Sequence, residues 1–293
     1  MESASKLLDL LGDSAEVGIK MRDYHARAAC LGGKMSSHAM SVFRKSPFCF
    51  KAHKQSDKQE PTAAMILGSM FHKVVLEFDD FNNDFMTDLN APVNPTTGKS
   101  YGRTSQKFID WKSQIESTGK EVVTAEEFDT AVKMAQSIWS RPDLMTHIHG
   151  GMAELTVSTE VLGVECQIRP DYLKLSRNAF GDEILVAADL KKTRGLEFFC
   201  YDASSHHKFE YQYQLAFYRL VLSKVTGFPF ERIYQPLIAC EEGPYYQCGE
   251  FYFDERRDLT PATNEIKASL VSYRNALEKD NWPTGYEQPT LIR

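Results

Sequence analysis

Two aspartates and a lysine stand out in the stretch from Val164 to Lys192, VECQIRPDYLKLSRNAFGDEILVAADLKK. Asp171 follows a proline in Arg169-Pro170-Asp171, and eighteen residues later Asp189-Leu190-Lys191 closes the apolar run EILVAADL. Carboxylates on neighbouring strands can hold a hard divalent ion, which prefers oxygen ligands. Such an ion binds a phosphate oxygen and lowers the pKa of a bound water. Side chains two apart on a strand share a face, which puts Lys191 beside Asp189. Its ammonium would neutralise charge developing on a phosphate, or its amine would orient and deprotonate water. The residues leave both roles open. The chemistry they suit is metal-dependent hydrolysis of a phosphodiester. D-x-K alone is short enough to arise by chance in a strand, so the elements around it decide its weight.

Those elements fall into a helical half and a strand-rich half. AELTVSTEVLGVECQIRPDYLKL alternates and turns at Gly163, which predicts a hairpin, and EILVAADL predicts a more buried strand. GLEFFCYDASSHHKFE reads as irregular. A helix is expected from near Phe209 to Gly227 and Pro229, with Gln214 and Tyr218 one turn apart on one face. ERIYQPLIAC and YYQCGEFYF predict two strands around EEGP, and a last amphipathic helix covers about Pro261 to Leu277.

The N-terminal half reads as helices. Residues 1–30 carry an apolar stripe at Leu7, Leu8, Leu10 and Leu11 before Gly12 interrupts it. SSHAMSVFRKS predicts a helix capped by Ser36 or Ser37 and ended by Pro47, with FCFKAHKQSDKQE as a loop. Arg44, Lys45, Lys51 and Lys54 with Phe48 and Phe50 form the densest basic–aromatic cluster. It reads either as a solvated helix end or as a phosphate contact beside the site. TAAMILGSMFHKVVLEF is helical in period and places Gly68 and His72 on one face, the glycine leaving room for another backbone to approach. Residues 79–103, rich in Asn, Asp, Pro, Gly and Thr, read as a long loop or an ordered insertion. Two helices follow, the second opened by the capping box Thr124-Ala125-Glu126-Glu127 and running to about Ser140.

At 293 residues, with 42% apolar and 25% charged side chains, the chain is long enough to bury a large core. A formal net charge of −6 excludes an overall basic surface but leaves room for a local basic groove. The six cysteines (Cys30, Cys49, Cys166, Cys200, Cys240 and Cys248) include no C-x-x-C pair, which argues against a zinc ribbon or a compact iron–sulfur ligand set. The first twenty residues lack a signal-peptide core, and no apolar run reaches the about 18 residues of a membrane span. The expectation is a soluble cytoplasmic protein with no membrane partner.

Gly68-x-x-x-His72, Arg169-Pro170-Asp171, Asp189-Leu190-Lys191 and Gln214-x-x-x-Tyr218 follow one another in a set order. In that order they resemble the PD-(D/E)xK nucleases of the RecB type, and within these the RecE-type exonucleases of phages and prophages (exonuclease VIII). The opening SSHAMSVFRKSPFCF, followed by AAMILGSMFHKVVLEF, is similar to that of the same subgroup. The resemblance covers about residues 34–260. It implies an α/β, restriction-endonuclease-like core with a central mixed β-sheet, flanking helices and an N-terminal helical annex. The helical part, 1–150, would carry the GxxxH motif and pack on a nuclease core at 151–293.

The same resemblance implies that His72, Asp171 and Asp189 bind metal, with the Leu190 carbonyl as a further ligand and Lys191 as the catalytic lysine. Magnesium is the implied ion, and manganese a substitute. Glu154 matches an acidic position near such sites and joins Asp171, Asp189 and Lys191 as a catalytic candidate. Gln214 and Tyr218 match the motif that supports the site and the DNA end. Lys192 stands where relatives often read K-T directly; with Arg44, Lys45 and Lys51 it is a candidate DNA contact. The implied activity is 5′ to 3′ exonucleolysis of duplex DNA ends, leaving 3′ single strands for recombination. A homo-oligomeric ring and a single-strand annealing partner, in a bacterial or phage-infected cytoplasm, belong to the same expectation. An endonuclease or single-strand nuclease on the same core competes with it, as does a non-catalytic binding module that keeps the fold.

Overall fold

The computed structural model describes residues 2–28, 31–55, 61–204, 209–285 and 287. The N-terminal half holds helices α1 (Glu2–Leu11), α2 (Met21–Arg27), α3 (Ser37–Lys45), α4 (Pro47–Gln55), α5 (Ala63–Leu76) and α6 (Phe81–Asp84). It continues with α7 (Gln106–Ser117), α8 (Ala125–Trp139) and α9 (Pro142–Met145), and includes strands β1 (Ala15–Glu16), β2 (Phe85–Thr87) and β3 (Glu121–Val123). Strands β4 (Met152–Ala153), β5 (Thr156–Val161), β6 (Val164–Ile168), β7 (Tyr172–Arg177) and β8 (Glu183–Thr193) follow. Helices α10 (Leu196–Ala203) and α11 (Tyr211–Thr226), strands β9 (Ile233–Tyr234), β10 (Leu237–Glu241) and β11 (Cys248–Phe251), and helix α12 (Thr260–Lys279) complete the chain.

The central sheet runs β11-β10-β8-β7-β4, with β9 also pairing with β8. Strands β9 and β10 lie parallel to β8 while β4, β7 and β11 join antiparallel, so the sheet is mixed. Alternation along β8 divides the core. Leu185 and Ala187 face the helices α1, α3, α11 and α12, whereas Ala188 and Leu190 face α5 and α8. The result is a sheet between two helical layers, and both clusters mix residues from before and after position 150.

The expected hairpin is β5–β6, turning through Leu162 and Gly163 in left-handed backbone (φ 55° and 78°), as a tight hairpin turn requires. With β1 it forms a separate three-stranded sheet. Residues 79–103 are an ordered insertion, whose strand β2 pairs in parallel with β3. The capping box at Thr124 and Glu127 is formed on both sides.

Three expectations need correction. Pro47 opens a helix instead of only ending one: it occupies the first turn of α4, where its missing N–H costs nothing, and Ser46 accepts the Cys49 N–H at 3.2 Å. The stretch read as irregular holds α10, which packs Phe199 and Ala203, with Leu196, against Leu215, Leu237 and Ala239. Gly68 faces open space: among the described residues no atom outside its own helix comes within 4 Å of where a Cβ would stand, so the expected backbone approach is not found there. Residues 56–60 and 205–208 of these stretches lie outside the described residues, as does the side chain of Lys54. Among the described residues no helix is long and apolar enough to cross a membrane.

Candidate active site

Strand register assembles the acidic row. Ala153 pairs with Tyr172 and Tyr172 with Ala188, so one residue further along the ladder Glu154, just after β4, and Asp171, just before β7, come opposite Asp189 within β8. Hydrogen bonds fix this extension. The Glu154 N–H donates to the Asp171 carbonyl at 3.0 Å, and the Leu190 N–H donates to Asp171 Oδ2 at 2.5 Å. In a strand a residue's N–H and C=O point to the same edge, so the Leu190 carbonyl lies on the Asp171 side as well. Glu154 leaves the strand in left-handed backbone (φ 51°), which an ordinary residue adopts only when its surroundings impose it.

Helix α5 brings in His72, whose Nδ1 lies 3.4 Å from Asp171 Oδ1. One ligand atom each from His72, Glu154 and Asp171 can be chosen so that all three lie within 4.8 Å of one another, the only such cluster among the described residues. Sequence reasoning named Asp189 as the third ligand and Glu154 as a catalytic candidate. The structure groups Glu154 with His72 and Asp171, and leaves Asp189 outside that group. Asp189 instead meets Lys191 Nζ, and it accepts from Gln214 Nε2 at 3.3 and 3.4 Å.

Lys191 is held on three sides. Beyond Asp189, its Nζ donates to Gln214 Oε1 at 3.3 Å and stands 4.5 Å from the centre of the Tyr211 ring. Gln214 thus ties lysine to aspartate, and its amide also donates to Tyr218 Oη at 3.1 Å. Tyr218, buried on α11, donates in turn to the Arg169 carbonyl at 3.2 Å. Helical spacing places Gln214 and Tyr218 together, as expected. Tyr211, three residues before Gln214 on the same helix, and Arg169, which holds Glu154 through a 2.7 Å contact from Nε, were missed as site residues. Both stand inside runs already singled out, FEYQYQLAFY and Arg169-Pro170-Asp171, and their aromatic and cationic types were the available signal.

Burial sets the electrostatics. It pushes Glu154 up, and the Asp171 carboxylate adds to this, giving a pKa of about 7. Asp189 is raised to about 6 by burial and by Asp171, against the pull of Lys191. Burial opposes charge on His72, but Asp171 and Glu154 outweigh it and hold the ring protonated up to about 9. Asp171 stays below the usual carboxylate range despite its burial, because His72, Lys191 and the Leu190 N–H all favour the anion. Burial also works against the Lys191 ammonium, and Asp189 reverses that, keeping the lysine charged.

Two carboxylates and an imidazole converging on one point fit a divalent ion. The oxygens suit magnesium or manganese, and the imidazole nitrogen favours the transition ion of the two. The basic candidates lie elsewhere. Lys192 pairs with Glu242. Arg44 lies 3.1 Å from Glu265 and covers the Tyr213 ring, its guanidinium carbon 3.2 Å from the centre. Lys51 binds Asp280 at 2.7 Å, and Lys45 is exposed. Among the described residues none of these four contacts the acidic row.

A mixed sheet between helical layers, with carboxylates side by side across neighbouring strands and a lysine two residues beyond one of them, defines a restriction-endonuclease-like fold and the PD-(D/E)xK class of nucleases. Residues 36–293 match the family described as "PDDEXK-like domain of unknown function (DUF3799)", and the chain belongs to that family. The crystal structure of a protein from Eubacterium rectale, given as a candidate exonuclease, superposes with a TM-score of 0.58 at 12% identity. The likeness spans 95% of this chain and 96% of that one, and it is a likeness of fold. No curated protein sequence matches the chain.

Proposed function

We propose that this protein is a divalent-metal-dependent exodeoxyribonuclease that degrades duplex DNA from its ends, 5′ to 3′, leaving 3′ single strands for annealing and recombination. The observation that carries the metal-dependent chemistry is the convergence of His72, Glu154 and Asp171, one strand away from the Asp189–Lys191 pair. The order of the four motifs, similar to RecE-type exonucleases, supports the exonucleolytic reading, as does the description of the Eubacterium rectale protein. A ring-shaped homo-oligomer and a single-strand annealing partner are proposed on the same likeness.

His72, Glu154 and Asp171 would hold magnesium or manganese, with Asp189 and the Leu190 carbonyl beside them on β8. Bound there, the ion would act as a Lewis acid toward phosphate oxygen and lower the pKa of water. The chain's own contribution is positional and electrostatic. Lys191, charged and fixed by Asp189, Gln214 and Tyr211, stabilises negative charge as it develops on the phosphate. Of the two roles left open for this lysine, a permanently charged stabiliser fits better than a base. Gln214 and Tyr218 keep the lysine and the strand end in register.

A time course on linear duplex labelled at either the 5′ or the 3′ end, with magnesium or manganese, tests the proposal. Early release of the 5′ label with covalently closed plasmid left intact is the expected result. Cutting of the closed plasmid would make the enzyme an endonuclease, and binding without any cleavage would make it a non-catalytic module.

A further inference from the structure

Glu154 has an unusual supporting structure. Its backbone is left-handed (φ 51°), and its carboxylate is held by Arg169, whose Nε lies 2.7 Å from Oε2. Arg169 also donates from Nη1 to the carbonyl of Ile19 at 2.6 Å. That acceptor is 150 residues away in sequence and lies in the first 35 residues, ahead of the family match, which begins at residue 36.

The segment around Ile19 is itself fastened at several points. β1 pairs with β5, and Arg27 grips Glu16 through two contacts of 2.6 and 2.8 Å, closing a loop that contains Ile19. Tyr24 is 6% exposed, its carbonyl accepts from Gln167 Nε2 at 2.8 Å, and its ring centre lies 5.9 Å from the Arg169 guanidinium carbon. Leu7 and Leu11 of α1 are buried in the core beside this segment. The planar guanidinium is therefore fixed at one end by a backbone oxygen and presents the other to a site carboxylate. A lysine, with a single nitrogen, does not reproduce that fork.

We propose that Arg169 is a positioning residue for the metal site, and that residues 15–28, outside the region matched by the family, are the clamp that holds it. The inference rests on His72, Glu154 and Asp171 being the metal ligands. Groups that orient metal ligands typically contribute about 10- to 100-fold to metal affinity, and Arg169 stands in that relation to Glu154.

Manganese affinity, read from the electron paramagnetic resonance signal of the free ion, tests this without reference to cleavage. Arg169→Met is expected to weaken binding about 10-fold or more. In a double-mutant cycle it should add nothing once Glu154→Gln is present, because Arg169 acts only through that carboxylate. Arg169→Lys, which keeps the charge, should fall between the wild type and Arg169→Met, and it serves as the folded comparison if the methionine variant melts. Glu16→Ala with Arg27→Ala, which loosens the clamp alone, should weaken manganese binding about two- to threefold, less than Arg169→Met, because the Arg169–Glu154 contact itself remains. Unchanged affinity in both Arg169 variants, or losses that add in the cycle, would overturn the inference. A wild-type protein that does not bind manganese would instead remove the metal-site reading on which it rests.

Discussion

Beside β4, β7 and β8 three carboxylates, none more than 13% exposed, lie together with three cations, whereas Arg44 and Lys51 on α3 and α4 pair with acids that face solvent, Glu265 at 55% and Asp280 at 78%. In the first region the groups disturb one another: Glu154 titrates near 7 and Asp189 near 6 because burial and Asp171 both resist their ionisation. Apolar side chains of similar volume would serve stability at least as well there. Charges kept under such conditions point to a ligand that needs them. In the second region the partners account for the charges without any ligand. Arg44 stacks on Tyr213, whose hydroxyl donates to the same Glu265 that Arg44 meets, and this joins α3 to α11 and α12. High local charge thus has two meanings in one chain, and burial of the carboxylates separates them.

Asp171→Asn is the strongest way to break this contrast. The substitution removes the anion that faces His72 and accepts the Leu190 N–H. Manganese binding should become undetectable, and cleavage should fall by more than about 10³-fold, because the ion and what it contributes are lost together. Manganese affinity within about twofold of wild type would show that the row is not the metal site.

Lys191→Ala should lower kcat by about 10²- to 10³-fold, the usual loss of one preorganised charge stabiliser. Metal binding should largely survive, since the lysine is not a ligand. Titrating manganese against both variants therefore separates holding the ion from stabilising charge. Loss of binding in Lys191→Ala would mean that Asp189, freed of its cation, disorganises the ligands.

Saturation with metal gives a smaller, purely thermodynamic effect. At about 100 times its Kd a ligand that binds only the folded state adds about 2.7 kcal/mol, and thermal melts of wild type with and without manganese should show it. Glu154→Gln should reduce the shift, whereas Arg44→Ala should leave it intact. Equal shifts in the wild type and Glu154→Gln would remove Glu154 from the ligand set.

How far the sequence reaches follows from what each element depends on. Helices α5, α8 and α11 and strand β8 were readable because their apolar periods match the faces they bury. Helix α4 was not, since a proline after a helix reads equally as a stop or as the first turn of the next. Helix α10 is only eight residues long and rich in aromatics, so its period is too short to separate it from a loop. The four motifs could be named one by one, but their distances depend on strand register, where one residue of error turns every side chain over. That is why the proximity of Glu154 to His72 was not legible: it follows from a two-residue strand and one left-handed residue. Arg169 was hidden for a related reason, as one of its partners is a backbone carbonyl 150 residues away.

The smallest effect belongs to Arg44, and it sharpens the contrast from the other side. If Arg44 serves the fold, Arg44→Ala loses a ring contact and partly exposed ion pairs, together about 1 kcal/mol of stability. DNA affinity and cleavage should then change less than about twofold, with the salt dependence of binding unaltered. If Arg44 instead contacts phosphate, its removal should lower the slope of log affinity against log salt by about one, with little change in melting. Lys45, the exposed neighbour, provides the comparison, because Lys45→Ala removes the same charge from the same helix without touching Tyr213 or Glu265. A slope change in Lys45→Ala alone would place DNA on the outer face of α3 and leave Arg44 to the fold. A slope change in Arg44→Ala would show that the ion pair opens when DNA binds, and the division between buried and surface charge would no longer hold.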